Sequence, residues 1–259
     1  IISVINQKGG VGKTTTVINL ATALSMNNKK VLVIDLDPQG NATTGFGIAN
    51  NDDTKTIYDV LNGNANFEDT IKDTKIDNLQ LVSSNVDLSG LEVETANESR
   101  KAFLLKDKIE NFINSTKNDF SYIFIDCPPS LSLLTIMSLV VAKSLIVPLQ
   151  AEFFALEGLS QLMQTIDRVK NKLNPTLEIR GVLLTMFDKR NKLSAQVEAD
   201  AREFFKDKVY QTVIPRNVRL SEAPSHGVPI LIYDKLCAGS KSYSNFTDEF
   251  LKQENIMES

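Results

Sequence analysis

Asn6-Gln7-Lys8-Gly9-Gly10-Val11-Gly12-Lys13-Thr14-Thr15-Thr16 is the stretch that decides the fold, with an apolar run at 1–5 before it and an amphipathic run at 17–26 after it. This order predicts a strand, a tight loop and a helix. Because glycine has no Cβ, the backbone N–H groups of the loop can converge on phosphate oxygens, and the helix dipole favours an anion at the same point. We therefore predict a phosphate-binding loop. The alternative is a glycine-rich turn with solvated lysines.

Individual side chains of this loop have predicted roles. In the G-x-x-x-x-G-K-[ST] pattern the lysine, here Lys13, meets the β- and γ-phosphates, and the next hydroxyl, here Thr14, binds Mg²⁺. That pattern has a glycine where this chain has Gln7, and a second lysine, Lys8, follows it. The residues predicted to bind the nucleotide phosphates are Lys8, Gly9, Gly10, Val11, Gly12, Lys13, Thr14 and Thr15.

Carboxylates follow two other apolar runs. Asp35 and Asp37 come after residues 31–34, and Asp126 comes after residues 122–125. The carboxyl ends of parallel strands face the crevice in which open α/β sheets bind ligands. We expect Asp35, Asp37 and Asp126 to surround Mg²⁺ together with the Thr14 hydroxyl, and the pair Asp35 and Asp37 to act on the attacking water as well. The alternatives are a turn with an Asx cap for the first pair and a helix cap for Asp126.

The remaining chain alternates strand-like and helix-like patterns. About seven apolar runs of strand length alternate with amphipathic stretches, which predicts an α/β fold with a mostly parallel, twisted sheet and helices on both faces. Between residues 45 and 75 the sequence is polar, and only residues 57–61 indicate a short helix, so we expect an irregular insertion there. At 259 residues the chain is of ordinary size for one α/β domain, and we predict a single domain over 1–259.

Composition excludes several classes of protein. The apolar content of 42% and charged content of 23% are globular, and the net charge of −4 argues against a surface coated with basic residues. Cys127 and Cys237 lie far apart without metal-ligand spacing, so neither a disulfide framework nor a metal cluster is expected. The longest apolar runs have strand length and no charged leader precedes one, so we expect a cytoplasmic protein.

Four segments resemble a known family. The glycine loop resembles the deviant Walker A box KGGxGKT of the ParA/MinD group of P-loop ATPases, and residues 35–43 (DLDPQGNAT) and 214–227 (IPRNVRLSEAPSHG) resemble boxes of its ParA branch. Residues 83–88 resemble the segment PSN-x-DL, with Ser83 in place of the proline. The resemblance implies a P-loop NTPase fold, ATP and Mg²⁺ as cofactors, and catalytic roles for Lys8, Lys13 and Asp37. Asp37 is the aspartate tied to hydrolysis, and we expect Asp35 to lie behind the residues that contact the metal.

The same resemblance implies an assembly and its partners. In the family two protomers sandwich MgATP, and the residue corresponding to Lys8 crosses to the partner's nucleotide, while those corresponding to Pro215 and Asn217 lie near the adenine. The ATP homodimer binds DNA non-specifically on the nucleoid, and a ParB-type partner stimulates the hydrolysis that releases it. The residues expected to contact DNA phosphates are Lys189, Arg190, Arg216 and Arg219. On charge alone these four side chains are solvated loop residues.

Other members of the group have different functions. A MinD-like, membrane-associated division-site ATPase is the main alternative, although residues 242–256 lack the basic polar face and broad apolar face of a membrane-surface helix. We therefore expect no membrane partner. An electron-donating iron protein would need cluster ligands that Cys127 does not resemble, and an amide-forming ligase would need a second substrate pocket. We interpret His226, which has no nearby nucleophile pattern, as structural.

Overall fold

The computed structural model describes residues 1–49, 51, 53–115, 119–152 and 155–257. Within these residues seven strands form one sheet in the order β3-β4-β2-β5-β1-β6-β7. Neighbouring strands are parallel except β3 and β4, which are antiparallel. The strands are β1 (Ile2–Val4), β2 (Val31–Asp35), β3 (Ile71–Asp73), β4 (Leu79–Val82), β5 (Tyr122–Asp126), β6 (Ser144–Gln150) and β7 (Glu178–Thr185).

Helices cover both faces of the sheet. The α-helices are α1 (Lys13–Met26), α2 (Asn41–Gly45), α3 (Ile57–Leu61), α4 (Leu91–Glu94), α5 (Leu104–Ser115), α6 (Leu133–Val141), α7 (Ala155–Lys172), α8 (Lys192–Phe205), α9 (Val218–Glu222), α10 (Ile230–Tyr233) and α11 (Ala238–Met257). Short 3₁₀ turns lie at Glu68–Thr70, Val86–Gly90, Lys101–Phe103, Lys206–Lys208 and Ala223–His226. No helix of the described residues is both long and apolar enough to cross a membrane.

The central strands are buried on both faces, which explains their continuous apolar sequences. Every residue of β2 and of β5 is buried. Alternate side chains of β2 enter opposite cores: Leu32 and Ile34 join the cluster on one face, and Val31 and Val33 join the cluster on the other. This alternation follows from the period of two in an extended strand. The mostly parallel sheet predicted from the sequence is confirmed.

The expectation of an irregular insertion between residues 45 and 75 is wrong in part. The helix at Ile57–Leu61 is present, but the segment also contains a 3₁₀ turn and the edge strand β3. Strand β3 has only three residues, Ile71-Lys72-Asp73, and none is fully buried. An edge strand this short and polar gives no hydrophobic periodicity from which it can be predicted.

Strand order places the functional segments side by side. Strand β5 lies between β1 and β2, and β6 lies on the other side of β1. The loop after β1 is therefore next to the carboxyl ends of β5 and β6. In this register Asp35 and Asp126 are directly paired. Helix α1 packs against α11, and the Thr16 hydroxyl contacts the buried Tyr243 hydroxyl at 3.2 Å. The loop and its helix are thus supported by the sheet on one side and by the C-terminal helix on the other.

Candidate active site

The glycine loop has the left-handed backbone that its sequence requires. Gly10 has φ 74° and Gly12 has φ 89°, values that residues with a Cβ adopt at a cost. Gly12 is also the N-cap of α1, where no side chain caps the helix. The first turn of α1 therefore leaves N–H groups directed at the loop, which is the arrangement that binds phosphate oxygens.

Side chains from the sheet hold this loop in place. Asn6 donates from Nδ2 to the Pro148 carbonyl at 2.8 Å and accepts from the Lys8 N–H at 3.0 Å. The Thr185 hydroxyl donates to the Val11 carbonyl at 2.8 Å. Strands β6 and β7 thereby anchor both ends of the loop, so that its shape is set before any ligand binds.

Lys13 is drawn inward over the loop. Its side chain is buried, and Nζ donates to the Lys8 carbonyl at 2.9 Å. Burial lowers the pKa of Lys13, and the carboxylates of Asp126 and Asp37 oppose that shift. The ammonium group thus faces the space above the loop in surroundings where an anion would be bound strongly.

Lys8 occupies a different position. Its side chain is about half exposed, and Nζ forms an ion pair with Glu152 of the same chain. Gln7, the residue in place of the usual glycine, donates to the Gly158 carbonyl at 2.7 Å and so holds the loop against α7. The expectation that Lys8 reaches a second protomer stays a prediction.

Asp126 is a fully buried carboxylate whose hydrogen-bonding capacity is poorly satisfied by the described residues. Its exposure is 0%, and neither oxygen accepts a hydrogen bond of ordinary geometry from the described residues. Desolvation, followed by repulsion from Asp35, raises the pKa of Asp126 well above its usual range, while the nearby Thr14 hydroxyl and Lys13 lower it. Such a group is stabilised by a cation, so Asp126 and Thr14 fit the Mg²⁺ predicted from the sequence.

The other two aspartates differ in how much of each carboxylate is free. Asp35 accepts from the Asp37 N–H at 3.2 Å and, on its other oxygen, from the N–H and hydroxyl of Thr43 at 2.8 and 2.7 Å. Its exposure is 0%, and burial raises its pKa to about 6. Asp37 accepts from the Gln39 N–H at 3.0 Å and lines the open cleft. The turn predicted as the alternative is therefore present, and Asp37 still faces the ligand space.

This geometry agrees with the expected place of Asp35 behind the residues that contact the metal. In the described residues no group of three or more His, Cys, Asp or Glu side chains is arranged to hold a metal ion. Both oxygens of Asp35 are occupied by hydrogen bonds, so Asp35 fits a supporting role and not direct ligation. Mg²⁺ usually keeps several waters and takes phosphate oxygens as ligands, so Asp126, Thr14 and Asp37 fit it without a protein cage. Asp126 does not cap α6, whose N-cap is Ser132.

The glycine loop, Lys13, Thr14 and Asp37 line one cleft of about 430 Å³. Its lining comprises Gly9, Gly10, Gly12, Lys13, Thr14, Thr15, Ile18, Asp37, Asn41, Thr44, Pro129, Met186, Pro224 and Ser225. Pro215 and Asn217, predicted to lie near adenine, are not among them. Pro215 pairs with Phe187 beside Met186, and the Asn217 side chain caps α9 by accepting from the Leu220 N–H. Their contact with the base stays a prediction.

Met186, Pro224 and Ser225 are lining residues that sequence reasoning missed. Pro224 and Ser225 belong to the box at 214–227, so their segment was identified although their position was not. Met186 follows β7 with φ 49°, which is unusual for a residue other than glycine. No local pattern marks it. The buried Cys127, whose pKa is raised to about 12, packs as a small apolar residue as expected.

Comparison with known proteins points to the same family that the sequence motifs resemble. A family model described as an AAA domain matches residues 1–179. The chain is 51% identical over 254 residues to the chromosome partitioning protein ParA of Caulobacter vibrioides, covering 98% of this chain and 94% of that protein. It is 48% identical over 249 residues to the sporulation initiation inhibitor protein Soj of Bacillus subtilis, covering 96% and 97%. The chain belongs to the ParA/Soj family of chromosome partitioning ATPases.

One solved structure with this fold contains a bound nucleotide analogue and magnesium. Cobyrinic acid a,c-diamide synthase from Mycobacterium smegmatis, with a bound ATP analogue and magnesium, matches at a TM-score of 0.85 and 33% identity. The match covers 97% of this chain and 93% of that one. The fold is thus shared with a diamide synthase, whereas the curated relatives at 51% and 48% identity are ParA and Soj proteins.

The four basic residues predicted to contact DNA lie on two adjoining segments of this ParA-family chain. Lys189, Arg190, Arg216 and Arg219 are all exposed. The Arg216 N–H donates to the Phe187 carbonyl at 3.2 Å, which places the second segment beside the end of β7. Arg190 pairs with Asp188 at 3.0 Å, and Arg219 pairs with Glu222 at 2.9 Å. These surface pairs are weak and can exchange for phosphate.

Proposed function

We propose that the chain is an ATP-hydrolysing DNA-partitioning protein that works as a MgATP-dependent homodimer, with residues 1–259 forming one ATPase domain. The observation that supports it is that the glycine loop, Lys13, Thr14 and Asp37 line a single cleft, while the buried carboxylate of Asp126 interacts with Thr14 and Lys13. A cleft with phosphate-binding backbone, a buried ammonium and a carboxylate in need of a cation suits a nucleoside triphosphate with its metal.

Each residue has one task in this proposal. The N–H groups of residues 9–15 and the Lys13 ammonium bind the β- and γ-phosphates. Thr14 and Asp126 hold Mg²⁺, directly or through water. When bound, Mg²⁺ would supply positive charge that offsets the negative charge of the phosphates. Asp37, whose carboxylate has an oxygen left over after its bond to Gln39, orients the attacking water in line with the γ-phosphate.

The dimer would form through the face that carries Lys8. Lys8 and its ion-pair partner Glu152 are both partly exposed beside the loop, so a second protomer can approach them. In the sandwich we propose, Lys8 exchanges Glu152 for the partner's nucleotide. The γ-phosphate then makes contacts that ADP cannot make, so ATP and ADP favour different states of the protein.

DNA binding is assigned to Lys189, Arg190, Arg216 and Arg219. The chain has a net charge of −4, so the contact must come from a local patch and not from overall charge. Side chains that contact only phosphates bind without base preference, and the affinity falls steeply with salt. We infer that the ATP dimer binds the nucleoid this way and that a ParB-type partner stimulates hydrolysis and release.

A gel-shift titration tests this function. Wild-type protein is mixed with one DNA fragment in ATP, ADP or no nucleotide, at several salt concentrations. We expect a shift only with ATP. Arg219→Glu should abolish the shift and keep ATP binding, whereas Lys75→Glu, an exposed charge reversal before β4, should behave as wild type. DNA binding that is equal in all three nucleotide conditions would refute the proposed switch.

A further inference from the structure

Thr43 connects two strand ends beneath the proposed water-orienting segment. Its exposure is 2%, and its hydroxyl donates to Oδ2 of Asp35 at 2.7 Å while its own N–H donates to the same oxygen at 2.8 Å. The hydroxyl oxygen also accepts from the Ser84 N–H at 3.2 Å. One side chain therefore joins the end of β2 to the residues that follow β4.

The connection continues to Asp37. The other oxygen of Asp35 accepts from the Asp37 N–H at 3.2 Å. The backbone of Asp37 is thus held through Asp35 by Thr43 and Ser84. Gly40, between Asp37 and Thr43, is close to the same segment: a Cβ there would lie 3.4 Å from the Ser84 carbonyl oxygen. The loop of residues 37–43 is thus held at both ends by hydrogen bonds to the Asp35 carboxylate.

Asp35 needs these donors because it is poorly solvated. It is fully buried and directly paired in the sheet with Asp126, another buried carboxylate. Without the Thr43 hydroxyl, the Asp35 carboxylate would lose a donor that water cannot replace at a site of 0% exposure. With only the Thr43 N–H left on that oxygen, the carboxylate would shift towards a second donor, and the Asp37 N–H that depends on the carboxylate would move with it.

We propose that Thr43 is a positioning residue for ATP hydrolysis, which sets the backbone of Asp37 through the Asp35 carboxylate. This inference rests on the proposed function, because it assigns Asp37 to the attacking water. The hydroxyl must donate to Asp35 and accept from Ser84 at once, so serine can replace threonine and valine cannot. The competing view is that Thr43 only packs the start of α2.

The test compares Thr43→Val with Thr43→Ser by steady-state ATPase kinetics. Misplacing a catalytic group by about 1 Å costs roughly 100-fold in rate, so T43V should lower kcat by about 10-fold to 100-fold and leave KM within about threefold. T43S should keep kcat within about threefold of wild type. Thr95→Val is the matched control, since Thr95 is also 2% exposed and its hydroxyl bonds only to the Leu91 carbonyl in α4.

A second readout separates positioning from loss of structure. T43V should still bind a non-hydrolysable ATP analogue with wild-type affinity and should still shift DNA in ATP, because neither step needs the attacking water. If T43V does not fold, Thr43→Ala is measured in its place, with the same expectation.

Two results would overturn the inference: wild-type kcat in T43V, or an equal loss of kcat in T43S. A loss of analogue affinity as large as the loss of kcat would also overturn it, because Thr43 would then support binding and not hydrolysis. If wild-type protein shows no ATP-dependent DNA binding, the proposed function fails, and that result is independent of the T43V comparison.

Discussion

Asp126→Asn should make the nucleotide-free protein more stable and its MgATP complex weaker. The buried cluster contains three carboxylates, Asp35, Asp37 and Asp126, and one ammonium, Lys13, so its formal charge is −3 + 1 = −2. Among the described residues the carboxylate of Asp126 has no hydrogen-bond partner of ordinary geometry. A buried polar group without a partner costs about 1–3 kcal/mol. Asparagine keeps the shape of aspartate and removes the charge. We therefore expect the unfolding free energy of D126N to exceed that of wild type by about 1–3 kcal/mol at pH 8.

The extra stability of D126N over wild type should disappear as the pH falls. Because burial raises the pKa of Asp35 to about 6 and that of Asp126 well above 3.8, the folded state binds these protons at a pH where the unfolded state does not. The folded wild type is therefore stabilised as the pH falls through the raised pKa values, and its stability declines as the pH rises. D126N lacks one of these protonation sites, so the difference between the proteins is largest at pH 8 and small at pH 5.

Urea denaturation measures both effects. The unfolding free energy is determined with EDTA and no nucleotide at pH 8 and pH 5, for wild type, D126N and Asp77→Asn, a control at an exposed aspartate. The control should stay within about 0.5 kcal/mol of wild type. A non-hydrolysable ATP analogue with Mg²⁺ at 100 times Kd should add about 2.7 kcal/mol to wild type and much less to D126N. D126N that is less stable than wild type at pH 8, beside an unchanged control, would refute this account.

Other variants test the remaining assignments. Asp37→Ala should abolish hydrolysis and keep ATP-dependent DNA binding, as followed by phosphate release and gel shift; normal turnover would remove Asp37 from the mechanism. Lys8→Ala should reduce turnover to background at any protein concentration, and a wild-type rate would exclude its role across the dimer. Gly227→Ala places a Cβ 2.7 Å from the Gly47 Cα at φ 62°, so it should cost about 2–4 kcal/mol of unfolding free energy. Gly63→Ala, at φ 77° with nothing within 4 Å, should cost about 1–2 kcal/mol; equal costs would show that the close contact is unimportant.

Local sequence was sufficient for the main parts of the fold and site. The loop at 6–16 and the aspartates after β2 and β5 are each marked by residues next to them, because a buried strand is a continuous apolar run and its end is a polar residue. The sheet follows from the alternation of such runs with helical patterns. Strand β3 was missed because its three residues carry no apolar repeat.

The features that could not be predicted depend on contacts between distant segments. The ion pair between Lys8 and Glu152 and the lining position of Met186 arise from the packing of β6, β7 and α7 around the loop. Likewise, the sequence marks Asp35 as a carboxylate at a strand end behind the expected metal ligands, but it does not show which groups hold that carboxylate. Only the fold brings Thr43 to one of its oxygens and the Asp37 N–H to the other. Residue type indicates what a side chain can bind, and packing decides whether its atoms are free to do so.

The structure also suggests how the nucleotide and the basic segment influence each other. Gly47 follows α2 and Gly227 ends the box at 214–227, and their backbones meet so closely that a Cβ on Gly47 would lie 2.7 Å from the Gly227 carbonyl oxygen. Asn41 and Thr44 of α2 line the same cleft as Pro224 and Ser225. In the proposed function, a movement of Asp37 and α2 on hydrolysis would be transmitted to the residues around Arg219, because a tightly packed contact transmits displacement and does not absorb it.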